Sequence, residues 1–236
     1  MTATEPRAYF AAAPLQPARV PTLTQPEGVR QILERPPASR PSGWNMLTLD
    51  RAAIVEGTRL RVSNGDRKHL DLLADGTLVA IAAFDGFLSW GVDRIASNPK
   101  IHGLALVEFT YDFVALYTRI LKQYLEPSPR AVGFEAGIDS AIFADGSGGE
   151  RALYLPPGPI REFSSPLRPG SYEAPASEFA HRFDVEVGDD GDLDVAAVAF
   201  DIVRAFYNWF GHTDDAIPYA LHDRAGIDID AIKAIG

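Results

Sequence analysis

The sequence predicts an α+β protein with two halves, each an antiparallel β-meander followed by a helix. Residues of the first half alternate between apolar and polar around tight turns, which is typical of antiparallel strands. Each half then contains a long apolar segment with helical spacing. The two segments share one order of residue types, aromatic, Asp, apolar and Val, at Tyr111–Val114 and Phe200–Val203. An internal duplication explains the shared order, and so does chance in two such apolar helices.

The composition indicates a folded globular protein with a substantial core. The chain has 236 residues, of which 46% are hydrophobic and 23% charged. It has no cysteine, which excludes disulfides, thiolate metal ligands and a cysteine nucleophile. No apolar run reaches the roughly 18 to 20 residues that a membrane span requires. The first residues also lack a basic segment followed by an apolar one, so we expect a cytoplasmic protein.

The net charge of −10 is unevenly distributed along the chain. Residues 1–68 contain ten Arg and Lys against six Asp and Glu, a balance of +4, which leaves −14 for the remainder. Long-range repulsion opposes the approach of an acidic surface to a phosphate backbone. We therefore expect that any contact with nucleic acid uses the N-terminal third.

Prolines dominate residues 1–45, which contain eight of them. This density removes backbone donors and favours extended conformations, so the segment is predicted to be an arm or linker. Within it, Val29, Ile32 and Leu33 fall on one side of a short helix predicted from Pro26 to Arg35.

The first half is predicted to span residues 46–127. Its three strands begin near Thr58, His69 and Thr77, and they are separated by the turn dipeptides Asn64-Gly65 and Asp75-Gly76. A helix from Leu104 to Glu126 follows and ends before Pro127. The polar residues of this helix have helical spacing, which predicts a polar stripe opposite a wide apolar face; they are Glu108, Asp112, Arg119 and Lys122.

The second half is predicted to span residues 128–212 and to be followed by an acidic C-terminal tail, residues 213–236. Its predicted strands are Ala131–Ile138, Arg151–Leu155 and His181–Val187. A helix from Val195 to Phe210 closes the half. Asp194 is the predicted N-cap of this helix, and Gly211 follows its C-terminal end.

A basic hairpin is the first candidate contact site, for nucleic acid or for a protein partner. Its five residues surround the Asn64-Gly65 turn; they are Arg59, Arg61, Arg67, Lys68 and His69. Alternation could place several of them on one exposed face, where they would grip phosphates through charge-assisted hydrogen bonds. The alternative is a solvated sheet face on which Asp66 and Asp71 pair with the arginines.

A proline-rich loop over residues 144–177 is the second candidate, because long irregular loops often carry binding contacts. Its candidate partner contacts are Pro156, Pro157, Pro159 and Arg161. The glycine-rich stretch Asp145–Gly149 lacks the Lys and Ser or Thr of a P-loop, which indicates a flexible loop rather than a phosphate cradle.

No motif indicates catalysis. The acidic run Asp184–Asp194 has carboxylates at alternating positions, as a hard cation requires. However, it does not match an EF-hand loop, and a turn before a helix explains it without metal. The five histidines lack HxxxH and HExxH spacing, and no GxSxG elbow occurs. We assign no catalytic residue, no metal ligand and no cofactor.

Four segments resemble the region that follows the nucleic-acid-associated domain of some bacterial Schlafen/AlbA-like proteins. They are Arg40–Met46, Gly103–Phe113, Leu153–Pro159 and Phe206–Gly211, so the resemblance spans residues 40–220. It implies an accessory module from a bacterial regulatory or defence setting, with DNA binding and nucleotide chemistry in the preceding domain. The acidic and lysine-bearing signature of that domain is not found in residues 1–45. No catalytic residue is therefore carried over.

These observations predict a non-catalytic binding or assembly module. We expect the arm, the basic hairpin and the proline-rich loop to contact a protein partner, another copy of the chain, or a nucleic acid held by a partner. The alternative is an enzyme whose site is assembled from remote residues, with a divalent cation near Asp184–Asp194. In either case the charged residues are expected mostly on the outside of the fold.

Overall fold

The structure is a computed structural model that describes residues 5–21, 23, 28–40, 52–64, 67–83, 88, 100–144, 148–157 and 172–235. It contains a large antiparallel sheet with helices against one face, which confirms the predicted α+β class. None of the helices in these ranges combines the length and hydropathy needed to cross a bilayer.

Within the described residues, the main sheet has seven strands. They are β1 (Arg7–Pro14), β2 (Ile54–Glu56), β3 (Arg59–Asn64), β4 (Lys68–Leu73), β5 (Leu78–Ala83), β6 (Ala131–Asp139) and β9 (Phe179–Glu186). Their order is β2-β3-β4-β5-β1-β6-β9, and every neighbouring pair is antiparallel. Two further strands, β7 (Ile142–Ala144) and β8 (Glu150–Ala152), form a separate hairpin.

The helices are α1 (Val29–Glu34), α2 (Gly103–Tyr124), α3 (Val195–Trp209) and α4 (Ile229–Lys233), with a 3-10 turn at Asp214–Ala216. The three predicted helices are thus confirmed with small shifts at their ends. Asp194 caps α3, because its side chain accepts a hydrogen bond from the Ala197 amide at 3.0 Å. Gly211 follows α3 with a φ of +83°, a left-handed conformation that favours glycine.

The predicted meander is present as β3, β4 and β5, which are consecutive in the chain and adjacent in the sheet. Gly76 has a φ of +86° at the turn between β4 and β5. The amide of Thr77 donates to the Asp75 carboxylate at 2.9 Å, which closes this turn. The other predicted turn lies between Asn64 and Lys68, and Gly65 falls outside the described residues.

An aromatic cluster joins the sheet to α2 and α3. The ring of Phe10 on β1 lies 4.8 Å from Phe109 and 5.8 Å from Phe113, both on α2. It also lies 5.9 Å from Phe206 on α3. All four rings are fully buried, and such contacts favour packing beyond the gain from burial alone. The helices therefore cover one face of the sheet, which we call the helix face, and we call the opposite side the open face.

The prediction that residues 1–45 form an arm or linker is wrong for the described part of that segment. Residues Arg7–Pro14 form β1, which lies between β5 and β6. Ala8, Phe10 and Ala12 on this strand are at most 1% exposed. The high proline content concealed the strand because Pro6 and Pro14 mark its two ends and leave its interior free to pair.

The two predicted halves do not form separate sheets, because β1 joins β5 of the first half to β6 of the second.

The prediction of an acidic tail is wrong as a description of residues 213–235. Ile217, Ile227 and Ile232 from this segment are at most 5% exposed and belong to the main core. The segment is folded despite its acidic composition, because burying these apolar side chains stabilises the folded chain.

Candidate functional site

Three of the five predicted basic residues lie together on the open face of the sheet, where carboxylates engage them. Arg61 donates from Nε and Nη2 to the two carboxylate oxygens of Asp71, each at 2.6 Å. Arg59 Nη2 lies 2.6 Å from Glu56 and its Nη1 lies 3.7 Å from Asp71. His69 Nε2 lies 4.0 Å from the same aspartate. Asp71 is therefore the centre of an ion-pair network on the open face.

The other two basic residues do not join this network. Arg67 pairs with Glu5 at 2.8 Å. Lys68 lies on the helix face, since it shares the side of β4 that carries the buried Leu70 and Leu72, and it is 5% exposed. Burial lowers the pKa of the Lys68 ammonium to about 8. Its burial leaves Lys68 little surface with which to contact a partner, and the five residues do not form one exposed basic surface.

The edge strand β2 presents exposed apolar side chains that sequence reasoning did not single out. Ile54 is 57% exposed and Val55 is 42% exposed. Within the described residues β2 pairs only with β3, so the outer edge of its backbone has no strand beside it. Such an edge is a template for pairing with another chain. The available sequence signal was the apolar pair Ile54-Val55 just before the predicted meander.

The first part of the predicted partner loop is anchored to the end of α3. His212 Nε2 is 2.8 Å from the carbonyl oxygen of Leu155, and the Tyr172 ring stacks on the His212 ring at 4.1 Å. Burial lowers the pKa of His212, although the contact with Leu155 opposes this shift. Pro156 is half-buried and Pro157 is exposed. The other two predicted contacts, Pro159 and Arg161, lie outside the described residues.

A buried polar cluster, made of Ser39, Arg40, Glu108 and Asp112, lies between the N-terminal segment and α2. The Arg40 Nε donates a hydrogen bond to the Glu108 carboxylate, and the two residues are 7% and 0% exposed. The Ser39 hydroxyl donates to Asp112 Oδ1 at 2.5 Å. Among the described residues, the second carboxylate oxygen of Asp112 has no hydrogen-bond partner. The cluster thus holds two buried acids four positions apart on one helix.

The environment of Asp112 favours the protonated form of its carboxyl group far above the usual pH range of an aspartate. Burial raises the pKa of the Asp112 carboxyl to about 7, and the charge of Glu108 raises it further, against the opposing hydrogen bonds from Ser39. The prediction that Glu108 and Asp112 belong to an exposed polar stripe is therefore wrong. The available signal was the apolar character of all sides of the helix around them, which is typical of a helix buried on every side.

The acidic run Asp184–Asp194 has structural partners for two of its residues. Asp194 caps α3, and Asp192 pairs with Lys122 at the end of α2. No group of three or more His, Asp or Glu side chains within the described ranges could hold a metal ion. The geometry of this run therefore gives no support to a divalent-cation site.

Comparisons with known proteins add no assignment to these sites. No protein-family model matches the chain, and neither a curated protein nor a solved structure shows significant similarity to it.

Proposed function

We propose that the protein is a non-catalytic assembly module in which β2 of one copy pairs with β2 of a second copy. The observation that carries this proposal is the exposure of Ile54 and Val55 on a sheet edge, at 57% and 42%. Exposed apolar residues on an unpaired edge favour association, because pairing satisfies the backbone groups and removes apolar surface from water.

The alternation of side chains along β2 explains how a second strand would cover both residues. In the register with β3, Ile54 lies opposite Arg61, which places Ile54 on the open face. Val55 lies opposite the buried Leu60, which places Val55 on the helix face. An added strand extends the sheet and places side chains beside both residues.

Charge and symmetry favour a second copy as the added chain. An antiparallel pair centred on Val55 would place Glu56 of the second copy opposite Ile54. Ile54 lies opposite Arg61 of β3, so the Glu56 carboxylate of the second copy would approach the Arg61 guanidinium. The two-fold axis would repeat this contact on the other copy. The joined sheets would form one continuous antiparallel sheet.

The oligomeric state in solution tests the proposal. We expect sedimentation velocity to detect a dimer that dissociates on dilution, and Ile54→Lys or Val55→Lys to shift the protein to monomer. Ile235→Lys is the matched control, because Ile235 is also an exposed apolar residue, at 43%, but lies beyond α4. A wild-type protein that stays monomeric at high concentration, or a control that dissociates equally, contradicts the proposal.

An enzyme is the second candidate, because a buried acid with a raised pKa often marks a functional site. Here the acid is Asp112, next to Glu108. A thermal-shift series with Mg²⁺, Mn²⁺ and Ca²⁺ tests the metal-dependent version, since a ligand at 100 times its dissociation constant adds about 2.7 kcal/mol to stability. A concentration-dependent shift supports the metal-dependent version of this candidate, whereas no shift at any concentration removes that version.

We also propose that any association with nucleic acid depends on a partner protein that holds the nucleic acid. Asp71 and Glu56 already engage Arg59 and Arg61, so phosphates would have to displace these carboxylates. Retention of oligonucleotides by the isolated protein that falls steeply with salt, and that drops in Arg59→Gln and Arg61→Gln, would contradict this dependence.

A further inference from the structure

A cleft of about 230 Å³ lies between α1 and α2, on the helix side of the sheet. Six residues line it: Gly28, Gln31, Ile32, Arg35, Arg119 and Tyr124. Four of these side chains carry hydrogen-bond donors, and two of the four are guanidinium groups. The lining is therefore polar and positively charged, on a chain with a net charge of −10.

Within the described ranges, neither guanidinium group of this cleft has a carboxylate partner. Arg35 follows the last residue of α1 and Arg119 lies on α2, and both are exposed. Neither side chain has a hydrogen bond or an ion pair with any residue that the structure describes. By contrast, most other arginines of the N-terminal third pair with carboxylates; they are Arg30, Arg40, Arg59, Arg61 and Arg67.

The two positive charges at one cleft repel each other, and a bound anion would replace this repulsion with attraction to both guanidinium groups. Guanidinium groups bind phosphate oxygens in pairs of parallel hydrogen bonds, which adds geometric selectivity to the charge attraction. The amide of Gln31 and the phenol of Tyr124 are further donors at the same cleft.

Gly28 keeps the Tyr124 ring at the edge of this cleft. Gly28 has a φ of +88°, and a Cβ there would come within 3.0 Å of Tyr124 Cε1 and 3.3 Å of its hydroxyl oxygen. A larger residue would therefore strain the backbone and press on the tyrosine. Ile32 adds an apolar surface beside the polar groups, which is typical of small-molecule sites.

We propose that this cleft binds the phosphate group of a small phosphorylated molecule, with Arg35 and Arg119 as the principal ligands. The volume suits a phosphate and a few further atoms, since sites for larger ligands occupy about 300 to 1,000 Å³. This site does not include residues of the β2 edge, so the two proposals are tested independently of each other.

Isothermal titration at constant ionic strength tests the site with two probes, inorganic phosphate and glycerol 3-phosphate. We expect saturable binding of at least one probe, and we expect Arg35→Gln and Arg119→Gln each to weaken it at least about tenfold. Arg182→Gln is the matched control, because Arg182 is an exposed arginine on β9, away from the cleft. Succinate in place of phosphate distinguishes phosphate recognition from attraction to any dianion.

Three results would overturn the proposal: no saturable binding of either probe, equal loss of binding in Arg182→Gln, and succinate binding as tight as phosphate. Each arginine variant is first checked by its thermal unfolding midpoint. Because Arg35 and Arg119 are exposed, we expect that midpoint to match the wild type.

Discussion

The long helices α2 and α3 carry the same order of residue types, but their aspartates occupy opposite environments. Asp112 on α2 is 1% exposed and has a carboxyl pKa raised to about 7. Asp201 on α3 has a side chain that is 42% exposed, and it pairs with Arg204 three residues later on the same helix. A shared sequence pattern therefore specifies a helix but does not specify which side of that helix is covered.

The covering segment explains the difference between the two helices. Ser39 and Arg40 lie against α2 and bind its two acids. The acid of α3 is instead paired within its own helix, and its charge acts on His181 of the edge strand β9. A buried carboxylate thus occurs where a distant part of the chain supplies donors, since an uncompensated buried charge is costly.

Removing the buried Arg40 should have the largest effect on stability. Arg40→Ala removes the guanidinium that faces the fully buried Glu108 carboxylate, so we expect a loss of about 3 to 5 kcal/mol in the free energy of unfolding. Arg204→Ala on α3 removes a solvent-exposed pair and should cost less than about 1 kcal/mol. Urea denaturation at pH 7 measures both values, and equal losses would contradict the proposed contrast between the helices.

The stability of the protein should also depend on pH through Asp112, with a smaller effect per pH unit than the loss expected for Arg40→Ala. The pKa of Asp112 is raised from 3.8 to about 7 on folding, so the folded state binds the additional proton between these values. The contribution of Asp112 is therefore fully present below pH 4 and is lost as the pH rises through 7, by at most about 1.4 kcal/mol per pH unit.

Asp112→Asn should abolish this component, because asparagine does not titrate. We expect the difference in unfolding free energy between wild type and Asp112→Asn to change steadily from pH 4 to 7. A flat difference for Asp112→Asn, measured by urea denaturation at several pH values, would show that Asp112 is ionised throughout this range.

The beginnings of the two helices should show the smallest effect. Asp194 accepts a hydrogen bond from the Ala197 amide at the start of α3, whereas α2 starts without a side-chain cap hydrogen bond. We expect Asp194→Ala to lower the thermal midpoint in line with a loss of about 1 kcal/mol. Asp189→Ala, an exposed aspartate just before the helix, should leave the midpoint unchanged, and equal effects would mean that general charge rather than capping is responsible.

Local signals were sufficient for much of the fold and for little of the candidate sites. The meander followed from alternation around Asp75-Gly76, and the helix at 195–209 followed from its apolar spacing and from Asp194. The duplication stays a prediction, as do the contacts of the proline-rich loop. For the basic hairpin, Arg61 pairs with Asp71, as in the alternative in which aspartates of the same sheet face engage the arginines. The two residues lie opposite each other in the strand register, so this pair could be suggested from the sequence.

Residue types alone were sufficient to predict the fold class, the approximate helix bounds and the Asp75-Gly76 turn, because each depends on neighbours within a few positions. Packing between distant segments instead makes Arg7–Pro14 an inner strand and buries Ile217, Ile227 and Ile232 in the core. The same packing brings Arg40 into contact with Glu108, which is 68 positions away in the sequence. These features depend on which distant segments the fold brings together, and no local pattern of residue types encodes that choice.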